Sequence, residues 1–137
     1  MATYKTKYIG GLRAESTHLQ SGTTILTDAP TDNKGKGEAF SPTDLVATAL
    51  GTCIITTMGI FGQNEGIEFD GSAIVGTKIM TSNGPRQIER IELTIELKTN
   101  VELDKEQKAK YERIANTCPV ARSLHPDLEQ IVKMIWV

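Results

Sequence analysis

Two cysteines, Cys53 and Cys118, are the residues of this chain best suited to chemistry. No CxxC or zinc spacing surrounds them. His18 and His125 stand alone and read as surface or packing residues rather than ligands. No Ser/His/Asp or Cys/His arrangement emerges from the spacing. The glycines of "NKGKGEAF" lack the strand before and the GK[ST] after that a phosphate loop needs. What remains is thiol chemistry, in which a thiolate attacks an electrophile and a second thiol condenses with the oxidised product. The plainer reading is that both cysteines are small buried hydrophobes. Cys118 precedes Pro119, so it is expected to cap a short helix. Amide donors and the helix dipole would lower the thiol pKa there. On that physics alone, Cys118 is the more reactive of the two.

The elements that must hold these thiols follow from local pattern. Ser41 is a good N-cap, Pro42 suits the first helical position, and Asp44 completes a Ser-x-x-Asp variant of the capping box. The helix carries Cys53 and has a plausible stop at Gly66. Before it, residues 3–9, 12–18 and 23–27 read as strands joined by turns at Gly10-Gly11 and Ser21-Gly22. A loop, "APTDNKGKGEAF", then runs for about a dozen residues, long enough to suspect a role at a site. After the helix, residues 69–81 read as a strand whose glycines mark bulges or close approach. In residues 87–98, Ile91, Leu93, Ile95 and Leu97 alternate with Arg90, Glu92, Thr94, Glu96 and Lys98, as in an antiparallel strand with one wet face. Asp104 and Gln107 start a second helix with Tyr111, Ile114, Ala115 and Cys118 on its apolar stripe. "PVARSLH" reads as a short third helix, and the chain ends in a strand. The order β-β-β-α-β-β-α-α-β gives an α+β class in antiparallel sheets.

The totals narrow the function classes. The chain has 137 residues, a length suited to a single domain over residues 1–137. It is 39% hydrophobic and 23% charged, as in ordinary globular proteins. A formal charge of −2, a pI near 5.7 and the absence of any basic block argue against nucleic acid as a partner. "MATYKTKYIGG" lacks the apolar core of a signal peptide, so a cytoplasmic location with reduced thiols is expected. Residues 45–63 are uncharged and long enough to span a membrane. Four threonines, three glycines and the distance to Lys36 and Lys78 speak against a span and for a helix buried on nearly all sides. A chain of this size has trouble enclosing such a helix alone. An interlocked dimer would do it, with the helix packed against its own copy.

The motifs "FSPTDLVATALGTC" and "CPV", after a β-hairpin start, resemble the OsmC/Ohr family of osmotically induced and organic hydroperoxide resistance proteins. The resemblance runs from "YIGGLRAESTH" to the last strand, and "SPTDLVATALGTC" is closer to the OsmC-like branch than to the Ohr branch. It implies a long central helix in an intertwined homodimer, and a thiol peroxidase without metal or organic cofactor that depends on an external thiol reductant. Cys53 matches the cysteine that attacks the peroxide, and Cys118 matches the one that resolves the sulfenic acid into a disulfide. This reverses the choice made from the dipole. Arg13, the one arginine before the helix, matches the thiolate-stabilising arginine of the N-terminal strands; its plainer reading is a solvated strand residue. The family's glutamate after the helix proline is here Thr43, and the acid is Asp44. Asp44 lies nine residues before Cys53, roughly 14 Å along a straight helix and near the opposite face. It would act catalytically only through a bend or across the dimer, and otherwise caps the helix.

These readings combine into a cytoplasmic, homodimeric peroxidase for organic and small hydroperoxides in oxidative-stress defence, with no membrane partner. An apolar pocket at the dimer interface would favour alkyl hydroperoxides over hydrogen peroxide. The alternative is a non-catalytic ligand-binding or redox-sensing protein on the same fold. A third reading leaves two inert cysteines in a structural dimer.

Overall fold

The computed structural model describes residues 1–137. The chain divides into two compact units, Met1–Val46 and Ala47–Val137, and the division falls inside the long helix. The element order is the one expected, and the class is α+β.

The N-terminal unit is an antiparallel meander of β1 (Tyr4–Gly10), β2 (Arg13–His18) and β3 (Thr24–Asp28). Its first turn needs left-handed backbone at three successive positions: Gly10, Gly11 and Leu12 have φ of 86°, 64° and 64°. Two glycines make that conformation cheap, and only Leu12 bears the strain of a side chain there. After β3 the long loop contains a 3₁₀ turn at Thr31–Asn33. The loop closes on itself, with Asp28 N donating to Phe40 O at 3.1 Å. Helix α1 (Pro42–Gln63) begins immediately afterwards.

The C-terminal unit holds most of α1, followed by β4 (Ala73–Met80), β5 (Ile88–Leu97), α2 (Lys105–Ala115), α3 (Pro119–Ser123) and β6 (Glu129–Trp136). β4 starts later than its sequence suggests. Gly71 has φ 84° and Ser72 N donates to Phe69 O, so residues 69–72 turn the chain rather than pair it. The glycine in β4 does mark close approach. A Cβ on Gly76 would lie 2.7 Å from Leu93 Cδ2 on the paired strand.

β5 behaves as its alternation requires, with Ile91, Leu93, Ile95 and Leu97 all buried. Each such side chain contributes about 1.5–3 kcal/mol on leaving water. The sheet order is β4-β5-β6, and one pairing departs from the antiparallel expectation: β5 and β6 run parallel. Parallel neighbours need a long crossover, which α2 and α3 supply. No strand periodicity distinguishes the two directions.

Helix α1 buries Ala47, Leu50, Gly51, Ile54, Met58 and Gly62 along one stripe. Gly51 lets this stripe approach the sheet, because a Cβ there would meet Ile74 Cγ2 at 3.3 Å and Leu93 Cδ1 at 3.8 Å. The end of α1 is fixed by Ile67 N donating to Gly62 O at 2.9 Å, with Gly66 at φ 70°. This is the Schellman arrangement, and it bears out Gly66 as the stop.

Candidate functional site

The structure brings Cys53 and Cys118 together. Both are free thiols, Cys53 half-buried on α1 and Cys118 fully buried at the start of α3. Their side chains are near enough for Cys53 to raise the Cys118 thiol. α2 ends at Ala115, Thr117 N donates to Ile114 O at 3.0 Å, and Pro119 forces a new start. Cys118 is therefore the N-cap of α3, its Sγ accepting from Ala121 N at 3.3 Å.

That cap is the one the sequence led us to expect, but its effect on the thiol is not. Burial pushes the Cys118 thiol above the ordinary cysteine value. The amide of Ala121 pulls the other way, and the neighbouring Cys53 sulfur adds a further upward push. Desolvation wins over the cap. Cys118 is thus held toward its protonated form, against the lowering that the dipole alone implies.

Arg13 and Asp44 lie in the N-terminal unit. Arg13 Nη2 donates to Asp28 Oδ2 at 3.3 Å and to Glu38 Oε2. Glu38 also donates its backbone N–H to the same Asp28 oxygen, at 3.0 Å. Asp28 is wholly buried, and this amide is the first cause that holds its carboxyl below the usual range, with Arg13 adding to it. The two carboxylates in turn raise the Arg13 guanidinium further above its already high value, so it is charged at every physiological pH. Arg13 is thus a half-buried ion-pair residue and not a solvated strand residue.

Asp44 caps α1. Its Oδ2 accepts from Ser41 N at 2.9 Å, and Ser41 Oγ accepts from Asp44 N at 3.0 Å. Thr43, in the place of the family's glutamate, has its hydroxyl 3.2 Å from Ser41 Oγ.

Sequence reasoning missed Asp28 and Glu38. The one available signal was the length of the loop that separates them. No group of histidine, cysteine and acidic side chains capable of holding a metal is present. The N-terminal unit also has an open, mostly apolar cavity of about 550 Å³ between the sheet and the first turn of α1, lined by Thr6, Ser16, His18, Ile25, Pro42 and Leu45 among others.

The family model described as OsmC-like protein matches residues 35–131. The chain belongs to the OsmC-like protein family. A protein from Psychrobacter arcticus 273-4, provisionally named for osmotic stress induction and detoxification response, is 44% identical over 98% of this chain and 96% of its own, with a TM-score of 0.91. Two more distant structures share the OsmC-like fold. An organic hydroperoxide resistance protein OsmC from Legionella pneumophila is 13% identical over 98% and 97% of the two chains, with a TM-score of 0.73. The organic hydroperoxide resistance protein OhrB of Bacillus subtilis is 19% identical over 98% of both, with a TM-score of 0.70. A comparison with curated proteins finds no match.

Proposed function

We propose that this OsmC-like protein is a thiol-dependent peroxidase for organic hydroperoxides, working as a cytoplasmic homodimer in oxidative-stress defence. The observation that carries the reading is the nearness of a half-buried free cysteine, Cys53, to a fully buried one, Cys118.

The Cys53 thiolate attacks the terminal oxygen of the hydroperoxide. The O–O bond breaks, Cys53 becomes a sulfenic acid, and the alkoxide leaves as an alcohol after taking a proton. Cys118 then attacks the sulfenic sulfur, and a disulfide and water form. Its raised pKa suits this second role, because a protonated neighbour does not compete for the first attack and surrenders its proton only as the disulfide forms. Two equivalents of an external thiol return both cysteines to the reduced state. Arg13 is the cation we assign to favouring the Cys53 thiolate. The reaction as written needs no metal or organic cofactor.

Stopped-flow consumption of cumene hydroperoxide by the reduced protein tests this. Cys53→Ser should lower the rate by several orders of magnitude, as deletion of a nucleophile does elsewhere. An inert wild type, or a Cys53→Ser protein as fast as wild type, would sink the proposal. The apolar cavity of the N-terminal unit favours a second reading, a small-ligand binder with no turnover. Mass spectrometry after one equivalent of peroxide separates them: a Cys53–Cys118 disulfide within seconds belongs to the enzyme, and unmodified thiols belong to the binder.

A further inference from the structure

Gln130 is a polar residue in an apolar row. Along β6 the half-buried Gln130, Val132 and Met134 alternate with the exposed Glu129, Ile131 and Lys133. The parallel register sets the half-buried row beside Ile91, Leu93 and Ile95 of β5, all buried. A polar side chain at the edge of such a core loses free energy unless it finds a partner. Gln130 finds one outside its sheet: its Nε2 donates to the backbone oxygen of Ala121 at 3.0 Å.

Ala121 is also where Cys118 is held. Helix α3 has five residues and buries none of them. Between α2 and β6, Cys118 is the one buried residue. Its Sγ accepts from Ala121 N at 3.3 Å, and Gln130 holds the carbonyl of that same residue. Inside α3, Arg122 N donates to Cys118 O and Ser123 Oγ donates to Pro119 O. The Gln130–Ala121 bond is the one hydrogen bond that ties this short helix to another element.

We infer that Gln130 is a positioning residue for the resolving step: through Ala121 it keeps α3 docked on β6, and so keeps Cys118 where it can reach the Cys53 sulfenic acid. The inference rests on the proposed peroxidase chemistry. In that step the S–S bond forms, the S–O bond breaks, and the hydroxide leaves with the Cys118 proton as water. A sulfur drawn toward Cys53 loosens its hold on Ala121 N, and Gln130 then retains α3 while the new bond forms. Gln130 has no part in the first attack, which belongs to Cys53.

The test follows both steps by mass spectrometry of full-length protein, quenched at intervals after one equivalent of cumene hydroperoxide, with dimedone marking the sulfenic acid. Gln130→Leu keeps the bulk and removes the donor. The Cys53 sulfenic acid should form at the wild-type rate, and the Cys53–Cys118 disulfide should form roughly five-fold more slowly, the scale of one hydrogen bond. Sulfinic acid under excess peroxide should rise accordingly. Gln130→Lys keeps a donor on a stem of similar length and should close near the wild-type rate. Wild-type closure in Gln130→Leu overturns the inference. So does an equal slowing of both steps, or closure in Gln130→Lys as slow as in Gln130→Leu. If far-UV circular dichroism shows that the leucine variant does not fold, Gln130→Glu, which also removes the donor, takes its place under the same criteria. If wild type forms no sulfenic acid, the peroxidase reading fails by itself. Diamide, a diazene that is reduced to a hydrazine as it joins a pair of thiols, then drives closure, and the same comparison of closure rates judges Gln130.

Discussion

Tyr111 shows how a single polar atom is handled in the C-terminal unit. Its ring is buried edge-on to Phe69, with centroids 5.2 Å apart, and its hydroxyl donates to Glu65 Oε1 at 3.0 Å. Lys110 Nζ donates to the same oxygen at 2.5 Å. Burial, and then the Glu65 carboxylate, push the tyrosine pKa up to about 12. The folded state therefore prefers the neutral phenol more than the unfolded chain does. The stabilisation is complete below the ordinary tyrosine value of about 10 and is lost as pH rises from there toward 12. Absorbance titration at 295 nm should show one tyrosine with a midpoint near 12, absent in Tyr111→Phe; a Tyr111 midpoint near 10 would refute this. Tyr111→Phe should also lower stability in urea by about 1 kcal/mol, the net value of a hydrogen bond. Legibility was uneven at this scale. The apolar stripe of α2 was readable from spacing at Tyr111 and Ala115, but Cys118, expected on the same stripe, lies beyond the helix end at the cap of α3. The sign of the Cys118 shift was not readable, because the cap is local while the burial that outweighs it comes from the rest of the unit. The pairing of Arg13 with Asp28 and Glu38 was hidden for the same reason, since it joins residues that only the folded meander and loop bring together.

At the scale of elements, caps and alternation were decisive where they acted locally. The Asp104/Gln107 capping box is formed on both sides, with Gln107 N donating to Asp104 Oδ1 at 2.8 Å and Asp104 N donating to Gln107 Oε1 at 3.0 Å. The Ser41/Asp44 box likewise fixes the start of α1. What pattern could not supply was direction and close approach. β6 beside β5 satisfies the same alternation whether parallel or antiparallel, and glycines reveal their reason only against a neighbour. Gly62 is the sharpest case. A Cβ there would lie 2.4 Å from the backbone oxygen of Ile67 and 3.1 Å from Phe69 Cε2. The first is a backbone atom held by the helix stop itself, so it cannot swing aside. Gly62→Ala gains about 1 kcal/mol of helix propensity. It loses more by forcing Ile67 away, and the net change in urea unfolding should be a destabilisation of roughly 1–3 kcal/mol. A variant as stable as wild type would show that the α1 terminus is looser than its geometry implies.

At the scale of the whole molecule, the feature that calls for explanation is the outward face of α1. Its most apolar 18-residue window has a mean hydropathy of 1.8, yet only 33% of that window is buried within the chain. Ile60 and Phe61 are 58% and 45% exposed, and Val75 on β4 is 73% exposed. Isolated exposed hydrophobes are ordinary, but a long uncharged stretch of helix left this open suits an interaction surface. Length and composition alone would also allow a membrane. Thr48, Thr52 and Thr56 recur on the exposed side of the helix, and no lysine or arginine flanks it, which suits a protein surface better than lipid. A second copy of the chain offers the same face in return, as a two-fold interface requires. Sedimentation equilibrium should therefore give about twice the 15.0 kDa chain mass. Ile60→Glu places a charge in the proposed interface and should shift the mass to that of one chain, with helical content retained. Wild-type protein that sediments as a single chain, or that floats with neutral phosphatidylcholine vesicles, would rule out the dimer and return α1 to the reading of a membrane-seeking helix.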